Sequence, residues 1–182
     1  MRPTAFKSTR ARYGLVAMII HWFSALALIA AFAGGIIASR ALDPLKHSAV
    51  LRIHVLVAAS LIVLTLIRIG WWAVVDKKPL PLGQPRWQRL VAKVVHTGLY
   101  IVTLLMGSSG AATLLLSGAL APLLHAAPLP DFSGLLPRLA HGWLSLEVLG
   151  LVFLHVSAAC YHQFMQQDRL MGRMGIGAAP EE

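Results

Sequence analysis

Of the eight histidines in this 182-residue chain, five lie inside long apolar segments: His21, His54, His96, His141 and His155. An ionisable side chain within a lipid-spanning helix is costly, so its first reading is functional. Imidazole in a helical bundle serves above all as a ligand, either to a metal ion or to haem iron.

Spacing decides which of them can act together. His141 and His155 are fourteen residues apart, which at 3.6 residues per turn returns them to nearly the same helix face, about 21 Å apart along the axis. One helix therefore offers a ligand near each membrane surface. His54 stands near the start of the second apolar segment, level with His141, and His21 is about as deep in the first as His155 is in the fourth. The expected pairs are His54 with His141 and His21 with His155. His96 belongs to the same half as the second pair and could replace either of its members.

A tetrahedral metal site asks for three or four ligands around one ion, whereas these pairs offer two at each of two levels. Porphyrin supplies four equatorial nitrogens and leaves two axial positions to the protein, so two b-type haems suit the pattern. There is no Cys-x-x-Cys-His run, which excludes covalent attachment. The small residues Ala25, Ala27, Ala30, Ala31, Gly34 and Gly35, with Gly107, Ser108, Ser109 and Gly110, leave room for macrocycles or for close helix packing.

The elements that must carry these histidines follow from composition. Hydrophobic residues make up 57% of the chain, charged residues 13%, and the mean hydropathy is +0.70, against about 25% charged residues in a soluble domain. Four apolar stretches, near Gly14–Ala38, Val50–Val75, Val94–Gly118 and Leu139–Phe164, can cross a hydrocarbon core of roughly 30 Å. The expected fold is an all-α, integral-membrane four-helix bundle forming one domain over residues 1–182. The first stretch is too long for a signal peptide and is kept as a span. The segment Ala119–Pro137 is moderately apolar and rich in proline, and reads as an interfacial lid rather than a fifth span. The Gly177–Glu182 tail reads as frayed.

Basic residues set the orientation. Arg2, Lys7, Arg10 and Arg12 precede the first span, Lys77, Lys78, Arg86, Arg89 and Lys93 lie between the second and third, and Arg169 and Arg173 follow the fourth. Only Arg40, Lys46, Arg52 and Arg138 stand on the other side, so both termini are expected in the cytoplasm. The net charge of +9 is thus a topology signal with attraction to anionic lipid, and not a sign of nucleic-acid binding. The single cysteine, Cys160, cannot form an intramolecular disulfide.

Tyr13 followed by Ile20-His21-Trp22, Ile53-His54-Val55 leading to Arg68, His96 with Leu99-Tyr100, and His141, Leu154-His155 and His162 followed by Leu170 to Met174 together resemble the bacterial four-helix cytochrome b561 family, which includes a superoxide oxidase. The resemblance covers most of the chain. It implies two haem b groups, one on His54 and His141 at the outer side and one on His21 and His155 at the inner side. It also implies electron transfer in the bacterial inner membrane, with superoxide as donor and ubiquinone as acceptor. The same scaffold resembles the cytochrome b subunits of hydrogenases and formate dehydrogenases, which take electrons from a redox protein partner.

Individual residues fit these roles. Arg40, Lys46, Arg52 and Arg138 form an outer positive rim that would concentrate a small anion, or contact lipid headgroups or haem propionates. Arg68, fourteen residues beyond His54, could clamp an inner propionate. Quinone reduction consumes protons, and His162, His96, Lys78 and Lys93 are the candidates on the inner side. His162 is seven residues past His155, roughly 10 Å away, too far to share its iron. His47 and His125 are expected in outer loops. Glu147 and the lid depart from the family pattern. A reading of another class, a transition-metal carrier, would need acidic or sulfur ligands along a pore, and the spans hold little beyond Glu147, Cys160 and a few methionines.

Overall fold

Leucine, isoleucine, valine and alanine in runs without interior proline favour helix, and in lipid only helices or closed barrels satisfy every backbone polar group. The computed structural model describes residues 5–81, 83–125 and 127–178, and there the chain is all-helical, with no strands. Arg2 and residues 179–182 of the tail lie outside the described residues. The elements are α1 (Leu15–Arg40), α2 (Pro44–Gly70) continued by a π-helical turn (Trp71–Val75), α3 (Arg86–Leu116), the short α4 (Leu120–Leu124), α5 (Leu136–Cys160) continued by a second π turn (Tyr161–Gln166), and α6 (Leu170–Arg173). Four of these helices are long and apolar enough to span a membrane. Their outward-facing residues agree: Leu26, Ile29 and Phe153 are exposed, as lipid contact requires and water would penalise.

The helices extend beyond the apolar stretches for local reasons. Asp43-Pro44 starts α2 six residues ahead of Val50, because proline is preorganised for the first helical position and the Asp43 carboxylate accepts the Lys46 N–H at 2.9 Å. That cap, worth about 0.5–2 kcal/mol, places His47 in the first turn of α2 rather than in a loop. Segment 119–137 contains α4 and the first two residues of α5, but no fifth membrane-length helix among the described residues. Ala119 and Leu123 are buried, and Ser133 closes an Asx turn on the Asp131 carboxylate with its backbone N–H at 2.8 Å.

The chain divides into two compact units. The first, residues 1–23, 66–100 and 149–182, carries both termini. Here the tail is laced to the N-terminal arm and the α2–α3 loop. The buried Arg173 donates from Nε to the Ala11 carbonyl and from Nη2 to the Leu80 carbonyl, both at 2.7 Å. Ser8 donates its N–H and its hydroxyl to Asp76, which also accepts from Trp71 Nε1 at 3.2 Å. Gly14 is required where the arm crosses α1: a Cβ there would meet backbone atoms of Phe6 and Lys7, with the Lys7 carbonyl carbon at 2.5 Å. The second unit, residues 24–65 and 101–148, buries Ala31, Ala38, Leu61, Leu123 and Val148.

Candidate haem sites

Each unit holds one pair of facing imidazoles. In the second unit the His54 and His141 rings have centroids 6.2 Å apart and planes at 78°. Both rings are half-buried. His54 Nδ1 lies 2.7 Å from the Ala31 carbonyl and His141 Nδ1 lies 2.9 Å from the Met106 carbonyl. A carbonyl only accepts, so both Nδ1 atoms carry a proton, and in the neutral ring each Nε2 then keeps a lone pair, as an imidazole ligand with an outer hydrogen bond requires. Ser109 Oγ stands 3.3 Å from the same His141 nitrogen.

Glycine makes the space for these rings. A Cβ at Gly35 would sit 3.3 Å from His54 Cε1, one at Gly34 would sit 3.4 Å from His54 Cβ, and one at Gly110 would sit 3.2 Å from His141 Cε1. Gly107 serves packing instead, since its Cβ would strike the Ile62 side chain. The small residues of α1 and α3 therefore divide between the two roles that their sequence left open.

In the first unit the His21 and His155 centroids are 6.1 Å apart with planes at 66°. His96 also approaches His155, at 5.1 Å, but is the exposed member of the trio. His21 Nδ1 is buried without a hydrogen-bond partner. Trp22, whose ring packs edge-on to His21 at 5.1 Å, donates Nε1–H to the Met174 carbonyl at 3.0 Å. Among the described residues no three His, Cys, Asp or Glu side chains group as a metal-ion site would need, so the histidines offer pairs.

Haem fits the pairs on their own dimensions. Imidazole–metal bonds of about 2.0–2.1 Å on opposite sides of an iron, plus roughly 1.1 Å from each nitrogen to its ring centroid, give about 6.3 Å between centroids. Both 6.2 Å and 6.1 Å meet that value, and the 5.1 Å of His96 to His155 falls short of it.

Arg68, half-buried, stacks its guanidinium over Tyr100 at 5.8 Å, and its Nε is buried without a partner. Orphaned buried donors of this kind suit a carboxylate that the protein alone does not supply. Lys78 Nζ lies over the Trp72 ring at 5.8 Å, and burial together with the Arg68 charge holds its pKa below the ordinary lysine value. Tyr13 packs edge-on to Trp72 at 5.9 Å; burial pushes its phenol up, opposed by the charges of Arg173 and Arg68. Lys93 is exposed on α3, with no hydrogen bond or ion pair among the described residues.

His162 is buried at 9% exposure, and its Nδ1 lies 2.5 Å from Asp168 Oδ2. Sequence spacing did not signal this pair, because residues six apart do not share a face of a regular helix. In the second unit Arg40, Lys46, Arg52 and Arg138 are all exposed. Arg40 and Lys46 line a cavity of about 470 Å³ with Ile37, Ala41, Ala49 and Val50. Arg138 reaches within 3.7 Å of where a Cβ at Gly142 would stand, one residue from His141. His125 is exposed at the end of α4, and Glu147 is exposed on α5.

Four membrane-length helices and two pairs of facing imidazoles at separations that would admit haem are features that a membrane cytochrome of the b type requires. The model of the family described as prokaryotic cytochrome b561 matches residues 12–177, and the chain belongs to that family. It is a multi-pass membrane protein that binds haem b and transfers electrons. Cytochrome b561 homolog 2 of Escherichia coli K12 is 29% identical over 183 residues, an alignment covering 93% of this chain and 94% of that protein. No solved structure matches the chain.

Proposed function

We propose that the protein carries two haem b groups and passes electrons from superoxide, on the side of the second unit's exposed basic residues, to ubiquinone near the termini. His54 and His141 hold one haem, and His21 and His155 hold the other. The observation that carries this reading is the pair of centroid separations, 6.2 and 6.1 Å, with the His54 and His141 tautomers fixed by backbone carbonyls. When bound, haem b supplies an iron that gains and loses one electron reversibly.

The remaining roles fall to the chain's own groups. Arg40, Lys46, Arg52 and Arg138 raise the local concentration of a small anion. Superoxide gives up one electron and leaves as dioxygen, so no acid–base group is needed on that face. Arg68 neutralises a propionate through its unpartnered Nε. Ubiquinone takes two electrons and two protons, and His162 and Lys78 are the donors best placed by burial and neighbours, with His96 and Lys93 further out. The basic residues gathered in the arm, the α2–α3 loop and the tail support cytoplasmic termini in a bacterial inner membrane.

Glu147 favours a second reading, in which a redox protein feeds the haems: a carboxylate exposed on a spanning helix is disfavoured by lipid, and a partner helix would bury it. The deciding experiment measures haem per chain by pyridine haemochrome, then adds superoxide anaerobically and follows the α-band. Two haems reduced rapidly support superoxide as donor. Two haems that ignore superoxide favour the partner-fed cytochrome, and absence of haem refutes both.

A further inference from the structure

Residues six apart on a regular α-helix point about 120° away from each other, yet the His162 and Asp168 side chains meet. The chain achieves this by leaving the α-helix. After Cys160 it widens into the π turn Tyr161–Gln166, and then reverses through Gln167 (φ 54°, ψ 28°) and Arg169 (φ 55°, ψ 34°) on either side of Asp168. These are the only non-glycine residues with positive φ among the described residues. Left-handed backbone disfavours side chains with a Cβ, and such strain persists where surrounding structure imposes it, commonly at functional sites. π turns concentrate there too.

The reversal places the carboxylate with few degrees of freedom. Asp168 Oδ2 accepts from His162 Nδ1 at 2.5 Å, Oδ1 accepts the Leu170 N–H at 3.1 Å, and the Asp168 N–H donates to the His162 carbonyl at 3.3 Å. Their side chains are 11% and 21% exposed. With Nδ1–H directed onto Asp168, the Nε2 atom makes no hydrogen bond among the described residues.

We propose that Asp168 is a positioning residue that holds His162 as the proton donor of the quinone site, an inference that rests on the ubiquinone reading above. In its charged form His162 donates the Nε2 proton to a quinone oxygen, the N–H bond breaking as the O–H bond forms. The electrons arrive singly from the haem b groups. The neutral imidazole keeps its Nδ1 proton on Asp168 and is recharged by a proton from water at the membrane surface. By holding the Nδ1 proton, Asp168 fixes the tautomer that returns Nε2 for the next proton. It touches no substrate itself.

The test uses detergent-purified holoprotein, reduced with dithionite, desalted anaerobically and mixed in a stopped-flow instrument with ubiquinone-1 or with ferricyanide. Ferricyanide takes one electron and no proton. D168N is expected to slow oxidation by saturating ubiquinone-1 about a hundredfold, the lower end of general acid–base catalysis. The half-saturating quinone concentration, the haem spectra and the ferricyanide rate are expected to stay unchanged. D168E recovers part of the rate, and D168N adds nothing to H162A because the two act as one unit. Equal quinone rates in D168N and wild type overturn the positioning role alone. A parallel fall with ferricyanide marks a structural role and also overturns it. Wild-type protein oxidised by ferricyanide but not by ubiquinone-1 refutes the quinone reading itself.

Discussion

Replacing His21 by alanine is expected to abolish one low-spin haem signal, whereas His96→Ala leaves both. Two trans imidazoles on one iron require about 6.3 Å between ring centroids. His21 and His155 at 6.1 Å need an adjustment of about 0.2 Å, within ordinary side-chain freedom. His96 and His155 at 5.1 Å would have to separate by about 1.2 Å. Close-packed interiors resist such shifts, and α3 and α5 are held where Gly98 would place a Cβ only 3.3 Å from Leu151. The assay is the dithionite-reduced minus oxidised α-band amplitude per chain, with pyridine haemochrome for total haem and circular dichroism to confirm that the helices persist. The amplitude should fall by about half in His21→Ala and stay whole in His96→Ala. Loss of the signal in His96→Ala with retention in His21→Ala would refute the geometric argument.

At the other pair, Gly110→Leu should remove one haem signal as His141→Ala does, because even a Cβ at Gly110 stands 3.2 Å from the His141 ring; an unchanged α-band would show that the ring has room to move. Asp76 gives a pH prediction. Burial alone would raise its pKa, but hydrogen bonds from Ser8, Lys77 and Trp71 outweigh this and hold it below 3.8. A depressed carboxylate stabilises the native state fully above its unfolded value and loses that contribution as pH falls through the native value. The N-terminal arm should therefore stay docked at neutral pH and release only below about pH 4, read from Trp71 fluorescence with Asp76→Asn as the variant already released. Reversing the rim, with Arg40, Lys46, Arg52 and Arg138 all changed to Glu, should slow superoxide-driven reduction at least tenfold at low salt and invert its ionic-strength dependence, so that added salt speeds the reaction. A rate indifferent to the change would remove the rim from the reaction.

How much was legible in advance varied with the range of the interaction. The four membrane-length helices and the pairing of His54 with His141 and of His21 with His155 follow from one-dimensional facts, namely apolar length and helical phase. The start of α2 at Pro44, six residues ahead of the expected stretch from Val50, followed a local signal, Asp43-Pro44, that apolar length passes over. Phase brought His96 to the same half as His21 and left the two as rivals, because helical period says which face a residue occupies and not how close two helices approach.

Those approaches belong to the tertiary structure. Only packing sets 6.1 Å against 5.1 Å around His155, selects Gly34, Gly35 and Gly110 as ring clearances while Gly107 seats Ile62, and aims the Ala31 and Met106 carbonyls at Nδ1. The Asp168 carboxylate reaches His162 through a π turn and two left-handed residues, a path that no helical or strand period encodes. The sequence by itself determined an all-helical membrane protein with facing imidazoles, since lipid forces the backbone into helices and the helix repeat fixes the faces. Tertiary structure decided distances, tautomers and the His162 partner, since these depend on contacts between residues far apart in the chain or on a backbone that breaks the repeat.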